Sequence, residues 1–391
     1  MQRATPPSRN NNPAYELTAP MLQAMSHALK TRRSRSSQPC GYNLTVSAQP
    51  SETDRKLLNL VQKEIELISE PFAPIAAELS LSQDDVLARL RRLRDQEGVI
   101  RQISAIFDTR KLGYTSTLVA MRVPSARVNE AARIINEHPG VSHNYERDHE
   151  FNIWFTLAVP PGMDLQTHID RLHDVVGAEA TRILPTLKMF KIEVRLDMEQ
   201  GVSNADGPPP PKADFPPLTD DDIRAIRALQ TDLALVPRPF AAQAQTVGMT
   251  EDELLSFAHK FLADGRMRRC AAILRHRRAG FLANGMGVWK MPEEQAAELG
   301  YRIASFPQVT HCYQRPVYED WPYRVFSMVH ARTEEKVREV IENISAETGL
   351  DEYDILFSTR EFKRTRVPYF TGEYEAWEER YAIRPHVAST R

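Results

Sequence analysis

Laid over itself with an offset of 168 residues, this chain repeats: Asp54 falls on Asp222, Pro71-Phe72 on Pro239-Phe240 and His143 on His311, with only small slips between. A chain that repeats over nearly all of its foldable length has to build two like units, each with its own core. One short pattern inside the repeat goes further. Val141-Ser142-His143-Asn144-Tyr145-Glu146-Arg147 is answered by Val309-Thr310-His311-Cys312-Tyr313-Gln314-Arg315. A duplicated scaffold explains duplicated leucines or glycines, but an imidazole, a phenol and a guanidinium at spacing two share one face of a strand. The pattern predicts a ligand site built in duplicate.

At 391 residues the chain has room for two to four domains of about 100 to 200 residues each. Between the repeats, residues 199–218 carry Pro208, Pro209, Pro210, Pro211, Pro216 and Pro217 beside Gly201 and Gly207, the composition of a semi-rigid spacer. Residues 1–50, rich in Ser, Pro, Asn, Arg and Gln, read as a disordered basic extension, with an organellar targeting peptide as the alternative. Cys40, Cys270 and Cys312 form no C-x-x-C pair and are too scattered for a disulfide framework or a thiolate metal site, so the expected setting is a reducing cytoplasm. No run approaches the ~18 apolar residues of a membrane-spanning helix. With 50 Lys plus Arg against 52 Asp plus Glu, no global field draws in nucleic acid.

Each half opens with helical periodicity. Leu57, Leu58, Leu60, Val61 and Ile65 lead to a break at Pro71 and a short helix from Ile75 to Leu79; Ser80-Leu81-Ser82 then caps a third helix carrying Val86, Leu87, Leu90 and Leu93, which stops at Gly98. The alternating run Val99 to Phe107 reads as a strand, and three helices plus this wing make a winged helix-turn-helix. The rest of the half reads strand (Ser116 to Val123), helix (Arg127 to Glu137), strand (Val141 to His149), strand (Asn152 to Val159), helix (Asp164 to Val175), strand (Thr186 to Val194), the βαββαβ order of a ferredoxin-like unit. The second half repeats that order from Leu282 through Phe362. The predicted fold is α+β: winged helix-turn-helix units at 51–113 and 219–280, ferredoxin-like units at 114–198 and 281–372, and a C-terminal tail at 373–391. Together they form a pseudo-dimer with two sheets facing each other around a cleft.

Alternation puts His143, Tyr145 and Arg147 on one strand face, and His311, Tyr313 and Arg315 on its counterpart. On the neighbouring strand Ile153, Phe155, Leu157 and Val159 suit packing against the helices, leaving Asn152, Trp154 and Thr156 on the other side; the second half offers Arg324, Phe326, Met328 and His330 there. Further cations close each half: Lys188 and Lys191 in the first, Arg360, Lys363, Arg364 and Arg366 in the second. Paired guanidinium N–H donors near aromatic rings suit a flat, polyanionic ligand. Any one of these residues is explained as well by a strand facing water. The set is not, because two halves that differ almost everywhere else both keep all three members of the pattern.

These strings resemble the Lrp/AsnC-like paralogues that act as siroheme decarboxylases, of the NirD/NirL and AhbA/AhbB types. The first half is similar to the NirD or AhbA side through His143 to Arg147, Phe151-Asn152-Ile153-Trp154-Phe155-Thr156 and Leu184 to Ile192. The second is similar to the NirL or AhbB side through His311 to Pro316, Trp321-Pro322-Tyr323, Phe326 to His330 and Ser358 to Lys363. The match covers about 54–198 and 219–370; one departure is Asn152 where the second half has Arg324. The resemblance implies siroheme as substrate and loss of two acetate carboxyls to give 12,18-didecarboxysiroheme in haem or haem d-type biosynthesis. No cofactor beyond the iron tetrapyrrole is implied, since the macrocycle can serve as the electron sink. It also implies His143 and His311 as proton donors or axial ligands to the substrate iron, Tyr145 and Tyr313 as their helpers, and no metal site of the protein's own. Carboxylate and ring contacts would come from Arg147, Arg315, Asn152, Trp154, Arg324, His330, Lys188, Lys191, Arg360, Lys363 and Arg364, with the second half, richer in His and Arg, as the expected seat of chemistry.

The rival from a different class is a DNA-binding regulator. In such units the first turn of the third helix approaches phosphates, yet here it carries Asp84 and Asp85, and in the second half Glu251, Asp252 and Glu253, which repel the DNA backbone. Arg89, Arg91, Arg92 and Arg94 keep that rival in view. A non-catalytic tetrapyrrole carrier would use the same pocket. A homodimer, or association with other tetrapyrrole-pathway enzymes, stays open. The chain has no H-E-x-x-H, no G-x-S-x-G and no phosphate-binding glycine loop.

Overall fold

The computed structural model describes residues 50–192, 216–275, 283–331 and 333–382. The expectations for the basic extension, for most of the 199–218 spacer and for the chain end beyond 382 lie outside the described residues.

Each half begins with three helices: α1 (Glu52–Lys63), α2 (Phe72–Glu78) and α3 (Gln83–Arg91) in the first, α6 (Asp220–Leu229), α7 (Pro239–Thr246) and α8 (Glu251–Ala263) in the second. Local chemistry starts them. Ser51 with Asp54, Thr219 with Asp222 and Thr250 with Glu253 are reciprocal capping boxes, each contributing about 1 kcal/mol by satisfying first-turn N–H groups. The wings β1 (Ile100–Phe107) and β7 (Met267–Leu274) pair antiparallel with each other, Ile103 opposite Ala272 and Ala105 opposite Cys270. One hydrophobic core therefore runs through both helical units, with Leu58, Phe72 and Leu90 from one side and Ile226, Phe240 and Phe261 from the other.

The ferredoxin-like units are β2 (Thr115–Arg122), α4 (Val128–Glu137), β3 (Val141–Arg147), β4 (Ile153–Val159), α5 (Leu165–Val176) and β5 (Ala180–Leu184), then β8 (Ala283–Trp289), α9 (Ala296–Ser305), β9 (Val309–Gln314), β10 (Val325–Ala331), α10 (Glu334–Thr348) and β11 (Tyr353–Arg364). A further strand, β6 (Lys188–Ile192), follows β5. The strand order is β5-β2-β4-β3-β11-β8-β10-β9-β6. This corrects the expected single closing strand from Thr186 to Val194. Ala180–Leu184 closes the first unit against β2, and β6 leaves to pair with β9 of the other half. The second half reciprocates: Tyr353 to Phe357 pair with β8, after which Ser358 to Arg364 pair with β3 of the first half. Bulges at Glu361/Lys363 and Met189/Lys191 sit at equivalent points of the two exchanged segments, within the stretches paired to the foreign sheet.

Two arginines pin the crossovers. Arg147 Nη1 donates to the Leu356 carbonyl at 2.8 Å, and Arg315 Nη1 donates to the Leu184 carbonyl. The Phe190 ring of β6 lies flat against Gly300 of α9, where any Cβ would overlap it. Between the sheets a mixed core of Trp154, Leu184, Met286, Trp321, Phe326 and Leu356 draws on both halves. The segment read as a tail contains α11 (Glu373–Arg380), which buries Tyr374 in the helical core and Trp377 in the first ferredoxin-like core.

Candidate active site

The alternation on β3 and β9 is realised. His143, Tyr145 and Arg147 from one half, and His311, Tyr313 and Arg315 from the other, line a single cavity of about 600 Å³ between the sheets. That volume is in the range of small-molecule and cofactor sites. Behind them Asn144 and Cys312 point the other way and are buried, Asn144 donating to Asn136 Oδ1 at 2.9 Å. In each row the imidazole and phenol lie side by side, ring centroids 6.2 Å apart for His143 and Tyr145 and 6.1 Å for His311 and Tyr313. Trp154 and Phe326 occupy matching positions, with the Arg147 guanidinium 5.9 Å from the Trp154 ring and that of Arg315 5.5 Å from the Phe326 ring.

His330 on β10 and Arg364 on the exchanged end of β11 also line the cavity. Arg364 is paired in register with His143, and its counterpart opposite His311 is Ile192. Burial, then the positive charges of Arg364 and Arg101, push His143 down to about 4. Burial and Arg364 do the same to His330. Both imidazoles are therefore neutral at pH 7, unlike a reference histidine near 6.5, so neither is a resting imidazolium. Burial raises the Tyr313 phenol to about 12 against the pull of Arg315, keeping it a hydrogen-bond donor. Arg147 and Arg315, lowered by burial to about 10, stay charged. The Nε of each is buried with no hydrogen-bond partner among the described residues.

Six of the residues singled out from sequence lie away from the cavity. Asn152 bonds the Val123 backbone through both its amide atoms, at 3.1 and 2.8 Å. Arg324 reaches the Met291 carbonyl at 3.4 Å and Glu293 at 3.3 Å. Both tie the start of the third strand to the end of the first, so the departure between the halves is two side chains filling one structural role. Lys188 lies over Phe190 and Tyr301, and Lys191 donates to the Phe306 carbonyl at 3.3 Å, both on the outer side of β6. Arg360 pairs with Glu146 and Asn129 at the surface. Lys363 donates to the Asn136 and His138 carbonyls at 2.8 and 3.2 Å.

Sequence reasoning passed over the hydroxyls beside the histidines. Ser142 Oγ is 2.9 Å from His143 Nδ1, and Thr310 Oγ1 is 2.9 Å from His311 Nδ1. The signal was present: a hydroxyl residue precedes the histidine in both repeats. Among the described residues no cluster of His, Cys, Asp or Glu has the makings of a metal site, and no helix is long and apolar enough to cross a membrane.

The cations on the third helices are already engaged. Asp54 accepts from Arg89 and Arg92 at 2.9 and 2.7 Å; burial alone would raise its carboxyl, but Ser51, Arg92 and Arg89 together hold it down to about 2. Arg92 also pairs with Glu97, Arg94 with Asp95 and Asp232, and Arg91 donates to the Leu235 carbonyl. In the second half Lys260 pairs with Asp222 at 2.6 Å, the same bond one repeat later. These helices hold the fold together with the charges a DNA reader would present to phosphates.

Fold and site thus define a tandem protein of AsnC-like units whose two duplicated rows open onto a shared cavity. Models of the AsnC-like ligand binding domain match residues 111–191 and 278–363, and those of the siroheme decarboxylase NirDL-like HTH domain match 54–101 and 222–268. Siroheme decarboxylase of Hydrogenobacter thermophilus is 41% identical over 82% of this chain and 96% of its own length. The siroheme decarboxylase NirDL subunit of Paracoccus denitrificans is 37% identical over 80% and 96%. The solved structure of siroheme decarboxylase NirDL in complex with an iron-uroporphyrin III analogue superposes with a TM-score of 0.68 at 35% identity, covering 84% of this chain and 98% of that one. The chain belongs to the siroheme decarboxylase family, and it is an enzyme.

Proposed function

We propose that this protein is a carboxy-lyase that removes two acetate carboxyl groups from siroheme, giving 12,18-didecarboxysiroheme for haem or haem d-type biosynthesis. The observation that carries this reading is the single cavity onto which both His-Tyr-Arg rows open. In each cycle the bond between the acetate methylene and its carboxyl carbon breaks and carbon dioxide leaves. The electron pair is delocalised into the macrocycle, and a proton completes a methyl group. No redox partner is needed and no organic cofactor is invoked.

The chain's own residues bind carboxylates and handle that proton. Arg147 and Arg315 line the cavity while their Nη1 atoms hold the crossovers. A substrate carboxylate beside either guanidinium gains a charge-assisted hydrogen bond, which contributes about 1.5–3 kcal/mol. Burial, with Arg364 and Arg101 adding to it, keeps His143 neutral before substrate binds. Carboxylates arriving beside them cancel that charge and raise the imidazole's proton affinity, so His143 gains its proton only with substrate in place. His311 serves as a second proton donor or as an axial ligand to the substrate iron, and Tyr145 and Tyr313 assist as phenol donors. One chain supplies both halves of the cavity, so a single copy is the catalytic unit and neither a second copy nor another pathway enzyme is required. The protein works in the reducing cytoplasm, consistent with buried free thiols at Cys270 and Cys312.

Anaerobic incubation with siroheme tests the proposal. Release of carbon dioxide with stepwise loss of two carboxyl masses from the tetrapyrrole is the expected result. Tight binding without mass loss would make the protein a carrier instead.

A further inference from the structure

Thr310 Oγ1 makes three contacts: the Met328 carbonyl at 3.3 Å, His311 Nδ1 at 2.9 Å and His330 Nδ1 at 3.0 Å. A hydroxyl owns one hydrogen and two lone pairs. A carbonyl only accepts, and with the hydrogen directed to Met328 both lone pairs receive N–H groups from the two rings. We infer that Thr310 is a positioning residue that fixes His311 and His330 together in the Nδ1–H tautomer, leaving Nε2 of each ring as the basic nitrogen. This rests on the reading of the cavity as the decarboxylase site.

The other end of the cavity is wired differently. Ser142 Oγ lies 2.7 Å from Thr156 Oγ1 and 2.9 Å from His143 Nδ1. Each of these partners can donate or accept, so no tautomer is imposed on His143. The two hydroxyls also form a short relay through which its proton can be replaced, with Thr156 itself lining the cavity. The duplicated motif has therefore split its duties. The second half holds two imidazoles in one tautomer, and the first half offers an imidazole that can be recharged. Thr310 is the residue that makes the difference, since the backbone of Met328 and the ring of His330 bring it a carbonyl and a second imidazole where Ser142 meets a hydroxyl.

The test uses the full chain with 15N-labelled histidine, empty and near neutral pH, in long-range nitrogen–proton correlation spectra. Nε2 of His311 and His330 is expected at the unprotonated position in the native protein and in Thr310→Ser, and shifted toward the protonated position in Thr310→Val. Turnover should follow: Thr310→Val lowers kcat by about 10- to 100-fold, as loss of a partner that orients a site imidazole does, and Thr310→Ser restores it. Hydrogen on Nε2 of either ring in the native protein, or native spectra and native kcat in Thr310→Val, would overturn the assignment. If Thr310→Val does not fold, the native and Thr310→Ser spectra decide the matter alone. Because the spectra need no substrate, a protein that keeps these tautomers yet leaves siroheme intact would count against the decarboxylase reading and not against Thr310.

Discussion

The two ends of the cavity start from one motif and differ in what surrounds it. At the β3 end His143 has Arg364 in register beside it, a serine before it and Ala158 two residues after Thr156 on the neighbouring strand; at the β9 end His311 has Ile192, Thr310 and His330 in the corresponding places. Duplication preserved the frame, and the chemistry diverged at residues flanking the motif. One of these differences crosses between the halves, since Arg364 and Ile192 each lie beside the histidine of the other half.

The sharpest way to break the comparison is to remove each histidine in turn. His143→Ala should lower kcat by about 10²- to 10⁴-fold, the span of a lost proton-transfer group, and mass spectrometry of the tetrapyrrole should find different product mixtures for His143→Ala and His311→Ala. Identical mixtures would erase the distinction between the ends. Next in size is Arg364→Ile, which gives the β3 end the residue found at the other. Substrate affinity should fall by about 10- to 100-fold, and NMR titration should find His143 and His330 binding protons at higher pH, since Arg364 lowers both.

Gly300→Ala probes the clasp on β6. Its methyl group would meet the Phe190 ring, and overpacking of this kind costs about 1–3 kcal/mol, read as a lower Tm. Ala132→Gly, at the matching position of α4, should cost only about 1 kcal/mol through helix propensity. A further test is pH. His143 and His330 are held at about 4 when folded, against about 6.5 in an unfolded chain. Burial also holds His138 well below its ordinary value. The folded state thus binds fewer protons, so stability is complete above about pH 6.5 and declines as pH falls toward 4. Tm should drop across that interval, and by less in His330→Gln; a flat profile would contradict the neutral imidazoles.

Much of this was legible in the residues. The repeat, the order of elements and the shared face of His, Tyr and Arg follow from periodicity and local chemistry, both of which are written along the chain. Partnership between distant strands is not. Leu187 to Ile192 alternates as a strand wherever it pairs, so nothing local told it apart from the true closing strand at Ala180–Leu184. Lys188, Lys191, Arg360 and Lys363 missed the cavity for that reason: which face of an exchanged strand looks inward depends on bulges set by the foreign sheet. Arg364 alone of the closing cations named as contacts reaches the interior. Asn152 and Arg324 misled because a side chain that braces two strand ends and one that grips a ligand draw on the same residue types.

Because β6 is woven into the sheet of the later half and the end of β11 into that of the earlier one, the peptide between residues 192 and 216 is mechanically redundant. Severed there, the molecule should hold together like two hooked hands, and two separately made polypeptides should assemble into one active particle while either alone leaves a sheet margin bare.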